Sequence, residues 1–176
     1  MSTLPTSHWL PGMAGQLDPR ISLYFACKLT GETPERLAAK KGLIDGLAQY
    51  FRILPFAFDF ERNCPLGNVN DVLRDDLCKV RHAEIMVVLL WHDASDGRGM
   101  EVMHRLHTHS ASDRNILILA PEDRKFTPFY LGLDREFGGV DIVHFDPSSL
   151  DGLAQKVIDW ARVLPGIEPD RLVARN

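Results

Sequence analysis

The chain has 176 residues, of which 45% are apolar and 25% are charged, so it is long enough for one well-buried domain and too short for two ordinary ones. A formal net charge of −4 with mixed charge signs leaves no basic face for a phosphate backbone, which argues against a nucleic-acid partner. The three cysteines form no paired motif and the longest apolar run, residues 85–91, is too short to cross a bilayer, so we expect a cytoplasmic protein without a membrane partner.

The organisation along the chain indicates one domain with an extension at each end. Residues 1–19 are rich in proline, glycine, serine and threonine without a repeat, and we interpret them as a flexible N-terminal arm. The domain spans residues 20–164. Residues 165–176 are expected to form a C-terminal tail.

The first half of the domain predicts a β-α-β unit. Ile21–Ala26 is a short apolar run typical of a strand. Thr33 followed by Pro34 then supplies a helix N-cap and a proline at the first helical position. After this helix, Leu54–Phe60 is interpreted as a buried strand despite Pro55.

The second half continues the alternation of helices and strands. A helix is predicted over Asp71–His82, and it leads into Ile85–Trp91, which is apolar on both faces as a central parallel strand should be. A turn over His92–Gly99 precedes a helix that ends near His107. Three elements close the domain: a strand over Asn115–Ala120, an edge strand over Val140–Phe145 and a helix over Leu150–Val163. This order predicts an α/β fold with a doubly wound parallel sheet, which binds its ligands outside the carboxyl ends of the strands.

The turn after the central strand carries the first candidate residue. Gly97 and Gly99 allow the backbone to approach a ligand closely, and Glu101 falls in the first turn of the next helix, where the macrodipole favours an ionised carboxylate. Such a carboxylate is a competent nucleophile. Acids in a first turn also commonly do no more than satisfy the helix terminus, and this segment alone favours that second interpretation.

A second acid lies on an apolar helical stripe. Asp76 comes three residues after Leu73 and four before Val80, so it shares their face, whereas Asp75 is expected to point outward. A carboxylate placed there needs a hydrogen-bond partner or a position at the rim of a cavity with a raised pKa, as a proton donor to a leaving nucleobase requires. An acid at the edge of the stripe that bends out to solvent fits the pattern equally well.

Residues around the first strand are further candidates. Tyr24 would place a phenol where it can hydrogen-bond Glu101, although a core aromatic with its hydroxyl at the surface is the simpler interpretation. Lys28 and Thr30 follow the strand and are candidates to hold a phosphate, although ordinary loop and cap chemistry explains this segment as well.

The histidines of the third helix do not predict a metal site. His104, His107 and His109 lie near the end of the helix without a carboxylate at a matching spacing, so a favourable interaction with the helix dipole is the better explanation. We expect no metal and no organic cofactor.

Three segments, in order, resemble the nucleoside 2-deoxyribosyltransferases and the related 2′-deoxynucleoside 5′-phosphate N-hydrolases. Leu23–Ala26 is similar to the first strand with its tyrosine, Asp76–Met86 to the D-L-x-x-I-x-x-(A/N)-D passage, and Gly97–Glu101 to the G-x-G-M-E turn. The resemblance spans Ile21–Leu119. It implies a flavodoxin-like five-stranded sheet, a covalent glycosyl-enzyme on Glu101, Asp76 facing the base, and a homodimer whose partner subunit helps to close each site.

The chain departs from the family pattern near the nucleophile. Ser95 stands where the transferases carry a sugar-binding aspartate, which removes a charge that would repel a 5′-phosphate and favours a nucleoside monophosphate. The loop is also about one residue short, so Asp93 or Asp96 is an alternative at that place. Val102–His104 replace small residues and would reshape the pocket. For the residue contributed by the partner subunit, Thr127 is the candidate.

The sequence thus predicts an enzyme that cleaves or exchanges the N-glycosidic bond of a nucleoside or nucleoside 5′-monophosphate. Three alternatives remain at this point: a glycohydrolase of a larger nucleotide such as NAD, a nucleotide-sensing module without turnover, and a flavodoxin-like signalling domain without a ligand.

Overall fold

The computed structural model describes residues 18–91, 96–123, 130 and 132–174, and for Val69, Asp96 and Gly97 it describes the backbone only. The strands are β1 Ser22–Ala26, β2 Arg52–Ile53, β3 Phe58–Asp59, β4 Cys64–Pro65, β5 Ile85–Leu89, β6 Ile116–Pro121 and β7 Val140–Phe145. The α-helices are α1 Pro34–Ala48, α2 Val69–His82, α3 Asp96–Thr108, α4 Leu133–Glu136 and α5 Leu153–Arg162, followed by a 3-10 helix at Pro169–Leu172.

Five strands form a parallel sheet in the order β2-β1-β5-β6-β7. The predicted α/β fold with a doubly wound, five-stranded parallel sheet is therefore confirmed, with β5 as the central strand and β7 at an edge. The β1–α1 boundary also follows the sequence, because Thr33 Oγ1 accepts a hydrogen bond from the Arg36 backbone N–H at 3.4 Å and Pro34 opens the helix.

Helices cover both faces of the sheet. On one face, side chains of α1 and α5 such as Leu47 and Val157 pack against alternate strand residues that include Leu23. On the other face, Val80 of α2 and Val102 of α3 pack against the remaining strand residues. Because both faces are covered, every residue of β1, β5 and β6 is buried, which explains why all of them except Ser22 are apolar.

The strand predicted over Leu54–Phe60 is wrong. The sheet strand in this region is β2, which has only two residues, and its ladder ends where the Leu54 N–H donates to the Leu23 carbonyl at 2.9 Å. The N–H groups of Arg52 and Leu54 face β1, so the missing N–H of Pro55 lies on the side of this edge strand away from the ladder and does not end it. The chain instead turns into an antiparallel hairpin of β3 and β4 beside the carboxyl edge of the sheet.

The helix after the central strand begins earlier than predicted. The expected turn over His92–Gly99 is shorter, since α3 starts at Asp96 and its first turn contains Gly97 and Gly99. Residues 92–95 lie outside the described part of the chain. The short helix α4 was not predicted.

The segment after Pro165, expected to be a tail, packs against the domain. It forms the 3-10 helix, and its Leu172 is 2% exposed in the cluster beneath α1 and α5. Arg171 pairs with Glu84 at 2.7 Å. Apolar burial and this ion pair hold the segment in place. Of the N-terminal arm, only residues 18 and 19 are described. No helix in the described ranges has both the length and the apolar character to span a bilayer.

Candidate active site

The three predicted catalytic residues line one cavity at the carboxyl edge of the sheet. Tyr24 comes from β1, Asp76 from α2 and Glu101 from α3, so three separate elements meet there. The cavity has a volume of about 150 Å³. The topology brings the two acids together because α2 and α3 are neighbours on the same face of the sheet.

Glu101 lies in an environment that opposes its ionisation. Burial, together with the neighbouring charge of Asp76, raises the pKa of Glu101 to about 7, while a hydrogen bond from Tyr24 and the charge of Arg98 oppose that rise. The expected stabilisation of the anion by the helix terminus is wrong, because Glu101 is the sixth residue of α3 and the dipole effect fades beyond the first turn. Glu101 Oε2 is buried and has no hydrogen-bond partner among the described groups.

Asp76 is half-buried on the inner side of α2, where burial raises the pKa of its carboxyl group. The charge of Lys79 opposes this rise and that of Asp75 adds to it. Asp75 is not simply solvent-facing, since its side chain is 22% exposed and forms an ion pair with Lys79 one helical turn later. A raised pKa is the direction of change that a proton donor requires.

Tyr24 links the sheet to Glu101. Its side chain is 7% exposed within the core cluster, and its hydroxyl forms a hydrogen bond with the Glu101 carboxylate. Burial and the charges of Glu101 and Asp76 raise the pKa of Tyr24, so the phenol stays protonated and donates. Tyr24 is a core aromatic, as the simpler interpretation held, but its hydroxyl meets Glu101 rather than the surface.

Two residues beside Glu101 were missed from the sequence. Arg98 is 2% exposed, and its Nη1 donates to the Leu89 carbonyl at the end of β5, which places a cation next to Glu101. Cys27 lines the cavity, and burial raises the pKa of its thiol to about 12, so the thiol stays neutral. The fold brings both to the site, and no spacing in the sequence indicates it.

An apolar wall of the cavity comes mainly from the β3–β4 hairpin and the segment before it. Besides Val72 of α2, it contains Leu54, Pro55, Phe56, Ala57, Phe58 and Pro65. Phe60 meets the rings of Phe56 and Phe58 edge-on, with centroids 5.6 and 5.5 Å apart. The cavity therefore combines an apolar aromatic surface with two acids.

Of the remaining predicted site residues, some lie at the cavity, some lie away from it, and some fall outside the described part of the chain. Of the two phosphate candidates, Thr30 lines the cavity, whereas Lys28 does not, and its carbonyl accepts from Lys40 Nζ at 2.6 Å. Ser95 and Thr127 lie outside the described residues, and for Asp96 and Gly97 only the helical backbone is described. Gly99 is half-buried in the first turn of α3 rather than in a loop.

The residues after Glu101 do not reshape the described cavity. Val102 is fully buried in the core, Met103 packs against the same cluster, and neither these two nor His104 is among the described lining residues. In the described ranges, no group of three or more histidine, cysteine or acidic side chains is placed to hold a metal ion. Burial and the charge of Arg105 lower the pKa of His109, which opposes the positive charge that the dipole interpretation requires.

Comparison with known proteins supports the fold. The sequence matches no family model, and no curated protein gives a significant match. Among solved structures, the CMP N-glycosidase BcmB of Clostridium botulinum aligns with a TM-score of 0.53 at 12% identity, covering 77% of this chain and 96% of that one. BlsM, known from a solution structure, aligns with a TM-score of 0.57 at 16% identity, covering 86% and 100%. At these identities the similarity shows that the chain shares its fold with both proteins, over nearly their whole length.

Proposed function

We propose that this protein cleaves the N-glycosidic bond of a nucleoside or nucleoside 5′-monophosphate through a covalent glycosyl-enzyme on Glu101. The observation that carries the proposal is the convergence of Tyr24, Asp76 and Glu101 on one cavity, with Asp76 close enough for its charge to raise the pKa of Glu101. The shared fold with a protein named as a CMP N-glycosidase supports the same reaction class.

The reactive state carries one proton on the pair of acids. Interacting carboxyl groups titrate as a pair, and here the proton must lie on Asp76 while Glu101 is ionised. Tyr24 favours that arrangement, since its hydrogen bond stabilises the anionic form of Glu101. Arg98 acts in the same direction. Because the charge of Asp76 raises the pKa of Glu101, the shared proton lies mainly on Glu101, and the reactive form is the minor arrangement of the pair, whose share Tyr24 and Arg98 increase.

The reaction is a double displacement. A Glu101 carboxylate oxygen attacks the anomeric carbon, the carbon–nitrogen bond breaks with its electron pair going to the base, and the Asp76 proton goes to the base. Water then attacks the glycosyl ester, gives a proton to the Asp76 carboxylate and releases the sugar and the Glu101 carboxylate. Two inversions retain the stereochemistry at the sugar, as in retaining glycosidases. A second base in place of water gives exchange instead of hydrolysis.

The apolar wall accounts for the placement of the base. A nucleobase is flat and presents a π face, so it fits against Phe56 and Phe58 with one edge toward Asp76. The sugar then lies over Glu101. By the family resemblance we also propose a homodimer in which the partner subunit helps to close each site, and sedimentation analysis tests the oligomeric state.

Base release from purified protein tests the reaction. CMP is the first substrate to try, followed by other nucleoside monophosphates, nucleosides and NAD, with free base or nicotinamide separated by chromatography. Glu101→Gln, which keeps the shape of the side chain, should lower the rate by about a thousandfold or more, since the nucleophile is lost. Glu136→Gln, an exposed acid on α4, is the matched control and should behave like the parent.

The intermediate gives a second readout. Mass spectrometry of protein quenched during turnover should show a sugar or sugar phosphate on the peptide that contains Glu101. Release of base at the parental rate by Glu101→Gln would reject the assignment. Nicotinamide release from NAD without base release from nucleosides would favour the NAD glycohydrolase, and tight nucleotide binding without any product would favour the sensing module.

A further inference from the structure

α3 contains a buried arginine that the proposed reaction does not use. Arg105 is fully buried, and its guanidinium donates five hydrogen bonds to backbone carbonyls, those of Val80, Ala83, Glu84, Asp113 and Arg114, at 2.6–3.1 Å. Burial lowers the pKa of Arg105 to about 10, so the side chain remains a cation at neutral pH. All five N–H donors of the guanidinium are thus occupied by main-chain acceptors.

Two of these acceptors belong to the end of the helix that carries Asp76. Val80 lies four residues after Asp76 on α2, and Arg105 lies four residues after Glu101 on α3. Residues four apart share a helical face and are separated by about 6 Å along the axis. The hydrogen bond from Arg105 to Val80, at 2.8 Å, therefore joins the two helices one turn away from the two acids.

The other acceptors tie this junction to the sheet. Glu84 immediately precedes β5, while Asp113 and Arg114 precede β6. The planar guanidinium has a fixed arrangement of donors, so it satisfies all five carbonyls only at one relative position of the two helices. If α3 slid or rotated against α2, buried carbonyls and a buried cation would lose their partners, which is strongly unfavourable.

We propose that Arg105 is a positioning residue that fixes the separation between Glu101 and Asp76. The rival explanation is that Arg105 only stabilises the fold. The two differ in their consequences, since a purely stabilising residue changes the melting temperature and leaves the interaction between the acids as it was. This inference rests on the proposed function only where reaction rates are concerned.

Arg105→Lys and Arg105→Gln test the inference. Lysine keeps the charge but has one donor atom in place of three, and glutamine keeps donors without the charge. Both should lower kcat by about tenfold to a hundredfold with a smaller change in KM, because a small displacement of reacting groups is enough for such a loss. The matched control is Val157→Ala, which opens a cavity in the core on the opposite face of the sheet.

Carbon-13 NMR titration of the Glu101 carboxyl gives a readout that needs no turnover. If the two helices separate in the Arg105 variants, the influence of Asp76 weakens and the pKa of Glu101 falls from about 7 toward its ordinary value. Val157→Ala should lower the melting temperature and leave the Glu101 titration at its parental position. Variants of Arg105 that melt lower but titrate and turn over like Val157→Ala would overturn the inference.

Hydrogen exchange of the parent protein covers the case in which the variants do not fold. If Arg105 holds α2 and α3 together, the amides of α3 near Arg105 and of the last turn of α2 should exchange only through the same unfolding reaction that exposes the amides of the central sheet. Separate, easier opening of α3 would show that the junction does not hold the helices, and would overturn the inference. If the parent releases no base from any substrate, the proposed function fails, and the titration and exchange results still decide the role of Arg105.

Discussion

Replacing Tyr24 with phenylalanine removes the hydroxyl that donates to Glu101 and leaves the aromatic ring in the core. A hydrogen bond to a charged group contributes about 1.5–3 kcal/mol, and this one favours the ionised form of Glu101. At about 1.4 kcal/mol per pKa unit, the lower end of that range raises the pKa of Glu101 by about one unit. Because the parental value is about 7, the ionised fraction at pH 7 should fall from about half to about a tenth.

The assay is a carbon-13 NMR titration of protein labelled at the glutamate carboxyl carbons, with the Glu101 signal assigned by its loss in Glu101→Gln. The kcat/KM for base release at pH 7 should fall about fivefold in Tyr24→Phe, in line with the titration. Tyr50→Phe is the matched control, since Tyr50 packs at the margin of the cluster on the other face of the sheet. A Glu101 titration that stays in place in Tyr24→Phe, or moves equally in Tyr50→Phe, would refute the reasoning.

Two further predictions concern pH. For the parent, the plot of kcat/KM against pH should be bell-shaped: kcat/KM rises as the acid pair loses its first proton and falls near pH 7 as the pair loses its second. Asp76→Asn should lower the pKa of Glu101, remove the alkaline limb of this plot and reduce the rate by about a hundredfold or more. At the amino-terminal edge of the sheet, Glu84 is partly buried, which opposes its ionisation, but hydrogen bonds from Arg171 and Ser22 lower its pKa overall. These hydrogen bonds to Glu84 therefore stabilise the fold at pH values above the ordinary pKa of a glutamate. Their contribution is lost as the pH falls through the lowered pKa. Arg171→Met should therefore reduce the free energy of unfolding by about 1 kcal/mol at pH 7, since both side chains remain partly exposed, and by progressively less below about pH 4 in urea titrations.

Neighbouring residues provide the controls for these two predictions. Asp75→Asn alters the adjacent acid and should keep both limbs of the pH profile, so an Asp76→Asn profile that also keeps both limbs would exclude Asp76 as the acid. Arg162 forms an exposed ion pair with Asp159 at 3.1 Å, and Arg162→Met should leave the free energy of unfolding nearly unchanged. A loss in Arg171→Met that is the same at pH 7 and pH 3 would show that Glu84 is not involved.

The parts of the fold that the sequence predicted are those determined by local signals. Thr33 and Pro34 locate the start of α1 because capping is a local interaction. The uninterrupted apolar run at Ile85 identifies the central strand, because only a strand covered on both faces lacks polar positions. The apolar run that starts at Leu54 gave a wrong prediction of a sheet strand. Its residues line a cavity and form part of a hairpin, and an apolar sequence alone does not distinguish these environments from a sheet.

In the candidate site, too, the residues that the sequence predicted are those marked by a local signal. Asp76 was noticed because an acid on an apolar stripe is a local anomaly, and Glu101 because of the glycines before it. The pKa of Glu101 could not be derived from the sequence, since it depends on burial and on the charge of a residue from another helix. Arg98 and Arg105 were missed because a charged side chain is assigned to the surface by default, and only the fold shows which carbonyls surround it.

The clasp of Ser22, Glu84 and Arg171 lies at the amino ends of β1 and β5, whereas the cavity lies at their carboxyl ends. A strand of five residues separates the two edges by about 17 Å. Substitutions at the amino-terminal edge of the sheet can therefore raise the melting temperature without altering the residues that line the cavity. Because of the same separation, a chain truncated before Leu172 would lose one buried side chain of the core and keep every described residue that lines the cavity. Such a truncation would change stability without removing a group of the candidate site.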